Sequence, residues 1–457
     1  MDYHKLAKRF EELTLESEDR WDYMGTSNSK RDYVHGLCTY PAMMVPKMQR
    51  EMLTVCLKEM KTTRPKLLDP FVGSGTVLVE GMLNGLDVVA IDINPLAVLL
   101  CKVKSTIIDI NELEQKTEQI LQDVSTCGTV LNHCFKGIEK WFTPKAVSDL
   151  SKVRAAIIKE SSLEARRFFW VAFCEVIRMV SNSRDCTYKL YIKDEDEINS
   201  FDKDAISLFR EILMLNITKY KEFYEVLKAD KLLKNNGTEY KGKVKVVLGD
   251  SVKYLMHSRT KFDLVFTSPP YGDNHTTVSY GQYSVLALRW INWKDIDDNI
   301  NPKLLETYCE IDKISLGGLS SNESITSERK NVTNKSETLS EQISLITIQA
   351  PKQVNKLIAF YSDFDRFLKV LANKIKPSGI SVWVLGNRRV AQQEIYMNKI
   401  ISELAGNYGF CLVTSFTRRI LNKRMPIVSA YKGEATNPVE TITREHIQIF
   451  SKREAYE

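Results

Sequence analysis

Apolar positions along the chain fall into short continuous runs separated by stretches with helical spacing. "PKLLDPFVGSG" is a brief apolar run that ends in a glycine turn, "TVLVEGMLNG" has the period of a helix, and "LDVVAIDINP" is a second apolar run. Much later come "KVKVVLGDS", "FDLVFTSPPY", "GISVWVLGN", "FCLVTSFTRR" and "EHIQIFSK". Runs of this length between helical stretches predict an α/β fold, a doubly wound Rossmann-like sheet interrupted by two long insertions.

The same pattern divides the chain. Residues 1–104 carry an N-terminal segment and the first strands, 105–240 a largely helical insertion, 241–294 the central strands, 295–362 a second insertion, and 363–457 the remaining strands. Within the first insertion "ARRFFWVAFCEVIRMV" (Ala165–Val180) reads as a core helix, its aromatic run being packing. In the second, Gly317–Gln342 is rich in Ser, Asn, Glu and Thr, and is expected to be a flexible loop or linker. Either insertion is a candidate for reading a polymer's sequence, with residues 295–362 slightly favoured.

Composition narrows the classes without choosing among them. The 457 residues are 43% hydrophobic, enough for one large core or several domains. No apolar run is long enough for a membrane span, and the charged N-terminus lacks a secretory signal, so a cytoplasmic protein is expected. Nine cysteines and six histidines are scattered without paired spacing, which fits free thiols and no metal site. A net charge of +6 leans mildly toward a polyanionic partner. The basic clusters "GNRRV" and "TRRILNKRMP" lie near expected strand ends.

Candidate chemistry begins at the first glycine turn. In "LLDPFVGSGTVLVE", Asp69 ends a strand, while Gly73 and Gly75 lie in the turn before a helix. Glycine allows positive φ and close approach of a ligand to the backbone, and a helix N-terminus offers free N–H groups. Asp92 in "AIDINP" ends the next strand, where a nucleotide site holds a ribose, and Asp250 in "VLGDS" ends another, placed to accept from an adenine amine. The turn is neither GxGxxG nor a Walker loop, so a nucleoside bearing a charged amino-acid tail fits better than a pyrophosphate.

A second turn poses the complementary chemistry. In "FDLVFTSPPYGD" a strand runs into Ser268, Pro269, Pro270 and Tyr271. The prolines lack N–H donors and fix φ, which stiffens the turn and leaves its carbonyls without local partners. Those carbonyls and the Ser268 hydroxyl can accept from an exocyclic amine, while Tyr271 can lie against a planar base. Such hydrogen bonds would orient the amine for direct methylation without a strong general base.

"DPFVGSG", "AIDINP", "LGD" and "TSPPYGD" together resemble the amino-group DNA methyltransferases that use S-adenosylmethionine, and the S-P-P-Y form is similar to the cytosine-N4 members. "HGLCTYPAMMVPKMQREML" is similar to the family segment at the methionine end of the cofactor. The resemblance implies a class I methyltransferase sheet and a cofactor site drawn from Tyr40, Pro41, Asp69, Phe71, Gly73, Gly75, Thr76, Asp92, Ile93, Asp250 and Ser251. Ser268, Pro269, Pro270 and Tyr271 would form the target pocket for a base flipped out of duplex DNA. His275, Thr276, Arg388, Arg389, Arg418, Arg419, Lys423 and Arg424 would contact DNA. The expected activity is cytosine-N4 methylation by a monomer or dimer in a restriction–modification system with a cognate endonuclease. An adenine-N6 enzyme, an RNA base-amine methyltransferase and a catalytically inactive nucleic-acid-binding subunit are the alternatives.

Overall fold

A computed structural model describes residues 2–17, 19–23, 31–184, 187–200, 203–274, 277–318, 325–391, 393–421, 428–429, 439–440 and 442–453. Seven strands form its main sheet: β1 (Lys66–Asp69), β2 (Asp87–Asp92), β3 (Val244–Leu248), β4 (Phe262–Thr267), β5 (Ile375–Leu385), β6 (Phe410–Arg419) and β7 (Arg444–Lys452). Their spatial order is β3-β2-β1-β4-β5-β7-β6. All are parallel except β7, which lies antiparallel between β5 and β6. This is the doubly wound, Rossmann-like sheet that the sequence pattern predicts. Strand order reverses between β1 and β4, and a crevice at the carboxyl ends beside such a switch is where open α/β sheets bind ligands. Every residue of β4 is buried, which explains why its sequence reads as a continuous apolar run.

The first insertion is helical, with long helices at Ile110–Thr126, Pro144–Lys159, Leu163–Val180 and Ala205–Ala229. Phe168, Phe169, Trp170 and Phe173 are all buried, so the helix Leu163–Val180 is covered on every side and its aromatics are core, as expected. At the other edge of the sheet, the N-terminal helix Tyr3–Glu16 and Trp21 cover β6. The rings of Phe10 and Trp21 stack on Phe416 at 5.8 and 4.8 Å.

The second insertion departs from expectation. Helices occupy Ile325–Thr333 and Glu337–Gln349, where a flexible loop was expected from composition. Val332, Leu339, Ile343 and Ile346 are buried against the helix Pro351–Ala372 and carry the apolar stripe that the surrounding polar residues obscure. Ser336 caps the second helix by accepting from Leu339 N at 3.1 Å. The helix Pro351–Ala372 also runs through the expected boundary at 362. It precedes β5 and belongs to the layered sheet domain rather than to an insertion.

Candidate active site

The carboxyl ends of β1, β2, β3 and β4 open into a cavity of about 590 Å³, within the usual range for a small-molecule site. One wall is the turn after β1. Val72 N donates to Ile91 O at 3.0 Å and Gly75 N to Val72 O at 2.9 Å, which ties the turn to β2 and closes it on itself. Gly73 and Gly75 have φ of +49° and +82°, backbone that favours glycine. At Gly75 a Cβ would also sit 3.0 Å from Cys101 Sγ. Gly73 lines the cavity, whereas Gly75, expected among the ligand contacts, stands behind the wall and shapes it.

Asp92 holds this turn. Its carboxylate accepts from Gly73 N and Asn94 N, both at 2.8 Å, and it also faces the cavity. Burial pushes its pKa up to about 6 against the pull of those backbone donors. Phe71, Thr76 and Ile93 complete this part of the wall. Asp69 is placed otherwise than expected. It is wholly buried beneath the cavity, where it accepts from Thr267 Oγ1 at 2.9 Å and Phe71 N at 3.2 Å and so joins β1 to β4. Its second oxygen has no hydrogen-bond partner among the described residues, and burial raises the carboxyl pKa to about 7.

The remaining walls come from distant segments. Tyr40 and Pro41 line the cavity; the Tyr40 ring stacks on Tyr280 at 5.8 Å and its hydroxyl accepts from Asn94 Nδ2 at 3.0 Å. Glu175, from the first insertion, anchors that segment by accepting from Thr39 N at 2.9 Å and Thr39 Oγ1 at 2.8 Å. Asp250 lines the cavity and caps the helix Ser251–His257, accepting from Val252 N at 2.7 Å. Ser251 donates to Pro70 O. Sequence reasoning missed Phe367, whose ring meets Phe71 edge-on at 4.9 Å, and the wall formed by Ile311 and Leu316. It also missed Lys104, which is buried beneath the turn and donates to Ser74 O at 2.7 Å. Burial pulls Lys104 down to about 8.

Ser268 and Pro270 reach the same cavity as Gly73 and Asp92, so the two motifs meet. Pro269 and Tyr271 are not in its wall. Tyr271 is half-buried against Gly386, where a Cβ would come within 2.3 Å of Tyr271 Cδ2. Its hydroxyl donates to Glu445 Oε1 at 2.8 Å and lies 3.3 Å from Ser268 Oγ.

Three of the arginines expected on DNA pair with carboxylates of the chain itself, two of them buried and Arg419 exposed. Arg388 is buried and pairs with Asp273 at 3.2 Å beneath the turn. Arg418 is buried and pairs with Glu445 at 2.6 Å. Arg419 pairs with Asp19 and with Asp22, fastening β6 to the N-terminal segment. Both guanidiniums are buried and already paired with a carboxylate, which removes Arg388 and Arg418 from the exposed contact surface. Arg389 is exposed on the short hairpin of Arg388–Val390 and Gln393–Ile395. His275, Thr276, Lys423 and Arg424 lie outside the described residues.

Over 458 residues the sequence is 31% identical to "Type II methyltransferase M.MvaI" of Kocuria varians, covering 98% of this chain and 96% of that protein. The chain belongs to the type II methyltransferases. A shorter likeness, 33% over 107 residues, joins this methyltransferase to "Type II methyltransferase M.MjaII" of Methanocaldococcus jannaschii, covering 23% of this chain and 19% of that one. No protein-family model matches it. The solved structure of the rRNA methyltransferase aviRa from Streptomyces viridochromogenes aligns with a TM-score of 0.32 at 10% identity over 94% of each chain, too slight a likeness to bear on the fold.

S-adenosylmethionine is the methyl donor of this methyltransferase. The cavity suits it: Gly73 leaves backbone room, Asp92 and Asp250 place carboxylate acceptors in the wall, and Phe71, Met43 and Met44 supply apolar walls. Among the described residues no helix is long and apolar enough to cross a membrane.

Proposed function

We propose that this methyltransferase modifies the exocyclic N4 amine of cytosine in duplex DNA, on a base flipped from the helix, as the protective half of a restriction–modification pair. The observation that carries the reading is the shared cavity: Ser268 and Pro270 face the same space as Gly73, Asp92 and Asp250.

S-adenosylmethionine supplies an electrophilic methyl on a sulfonium. The chain's part is to hold the nitrogen in line with it. Ser268 accepts an N–H of the amine and draws its lone pair out of conjugation with the ring, while Pro270 gives the base a rigid edge. Asp92 and Asp250 take the ribose hydroxyls and the adenine amine of the donor. Tyr40 and Tyr280 close the side of the cavity against water. No side chain needs to act as a strong base, because the amine proton becomes acidic only as the nitrogen gains its methyl. Arg389 and Arg419 are the exposed arginines of these clusters within reach of a phosphate backbone.

The decisive experiment is methyl transfer from labelled S-adenosylmethionine to duplex DNA, with digestion to nucleosides and mapping of the modified site. The expected product is N4-methylcytosine in one short sequence. 6-Methyladenine as the sole product, or methylation of RNA with refusal of duplex DNA, would overturn the reading.

A further inference from the structure

Ser268 is the polar side chain of the proline turn that faces the cavity, and a hydroxyl can donate or accept. Which of the two it does decides which atom of a base it welcomes. Ser268 Oγ lies 3.3 Å from Tyr271 Oη, a contact that either hydroxyl could make as donor.

The next link removes the choice. Tyr271 Oη lies 2.8 Å from Glu445 Oε1, and a carboxylate only accepts, so the single phenolic proton is committed to Glu445. The other carboxylate oxygen, Oε2, accepts from Arg418 Nε at 2.7 Å and Nη2 at 2.6 Å. Arg418 and Glu445 are direct cross-strand partners of β6 and β7, so the pair is set by the sheet itself. A guanidinium only donates, which gives the chain of hydrogen bonds one direction. Tyr271 then has only lone pairs to offer Ser268. That assigns the Ser268 proton to Tyr271 and leaves the two lone pairs of its oxygen as the groups it can offer the cavity.

We propose that Arg418, Glu445 and Tyr271 are positioning residues that hold Ser268 as an obligate hydrogen-bond acceptor, so that the corner takes a base with an exocyclic amine and rejects one with a carbonyl there. The inference rests on the reading above that Ser268 receives the target amine. Burial and the Glu445 charge raise the Tyr271 phenol well above its ordinary range, so it keeps the proton that the chain requires. The contact of the Tyr271 ring with Gly386 keeps its hydroxyl on this line.

Two conservative variants give opposite signatures. In Glu445→Gln the new amide must turn its oxygen to Arg418, which can only donate, and its NH2 to Tyr271. That reverses the chain: Tyr271 donates to Ser268, and Ser268 donates into the cavity. In Tyr271→Phe the ring remains and Ser268 is free to rotate.

The test is equilibrium binding of S-adenosylhomocysteine-loaded protein to duplexes carrying the mapped site. One duplex bears the amine base and the other its carbonyl counterpart (uracil for cytosine, hypoxanthine for adenine). Each stands opposite an abasic position, so that extrusion costs are alike. The native protein should prefer the amine by roughly 10-fold or more, the effect of about one buried unmatched hydrogen bond. Tyr271→Phe should shrink that ratio to about 3-fold or less, and Glu445→Gln should abolish or invert it, with S-adenosylhomocysteine affinity and melting temperature as folding controls. If both folded variants kept the native ratio, or if the native protein showed none, the inference would be overturned. Should one variant fail to fold, the ratio in the other decides alone; should both fail, the native ratio decides. An adenine product would sink the cytosine reading and leave this one standing, tested with the adenine pair.

Discussion

The two walls of the cavity are built in different ways. The glycine turn proposed for the cofactor is a local structure held largely by backbone donors: Gly73 N and Asn94 N both close on Asp92, and Gly75 N closes on Val72. The target corner is held by side chains from far along the chain, with Tyr271 on Glu445 and Asp273 on Arg388, 174 and 115 residues away. Local backbone geometry can be met by few residue types, so it leaves a pattern in the sequence. A distant side-chain pair can be met by many combinations, so it leaves almost none.

That contrast predicts a double dissociation. Removing Asp92 should strike the cofactor and little else. Asp92→Ala should weaken S-adenosylmethionine binding by roughly 100-fold or more, because charged hydrogen bonds to both ligand and turn are lost. Titration calorimetry reads the loss, and a change below about 5-fold would mean that Asp92 only braces the turn. The counterpart is Gly386→Ala, which places a methyl 2.3 Å from Tyr271 Cδ2. Turnover should fall by roughly 10- to 100-fold as Tyr271 and Ser268 shift, while cofactor affinity stays within about 2-fold. Equal losses in both quantities would erase the distinction between the walls.

A smaller effect tests how the helix joins the cofactor wall. Gly75→Ala combines a φ of +82° with a Cβ 3.0 Å from Cys101 Sγ. It should lower stability by about 1–3 kcal/mol in denaturant unfolding. Cofactor binding in the remaining folded protein should change less than in Asp92→Ala, because Gly75 lies behind the wall.

The same difference explains what could be read beforehand. Strand ends, the glycine turn, Asp92, Asp250 and Ser268 were legible because an apolar run that stops at an acid or at paired prolines is a strong local signal. Glu445 was not, since it stands near the start of a strand that carries no motif, and its meaning arises only when β7 is laid between β5 and β6. Arg388 and Arg418 looked like surface cations because sequence shows charge and not burial. The helices at Ile325–Thr333 and Glu337–Gln349 were hidden by polar residues that crowd a narrow apolar stripe. Phe367 and Ile311 carried no motif at all.

Asp69 lies between the two walls and gives the finest test of their coupling. It is fully buried, bonded to Thr267 on the strand that leads to Ser268, and its second oxygen has no partner among the described residues. Its folded pKa of about 7 lies above the ordinary carboxylate value, so the folded state binds the proton more tightly than the unfolded state. Stability from this group is therefore fully present below about pH 4 and is lost as pH rises through about 7. Asp69→Asn cannot ionise and keeps the acceptor for Thr267. At pH 8 it should be more stable than the native protein by about 1–2 kcal/mol, well below the full linkage value because the new NH2 is itself left without an acceptor. The advantage should shrink steadily as pH falls from 8 to 5. Denaturant unfolding at several pH values reads the difference, and an advantage that did not depend on pH would mean that Asp69 carries no strained charge beneath the junction of the two walls.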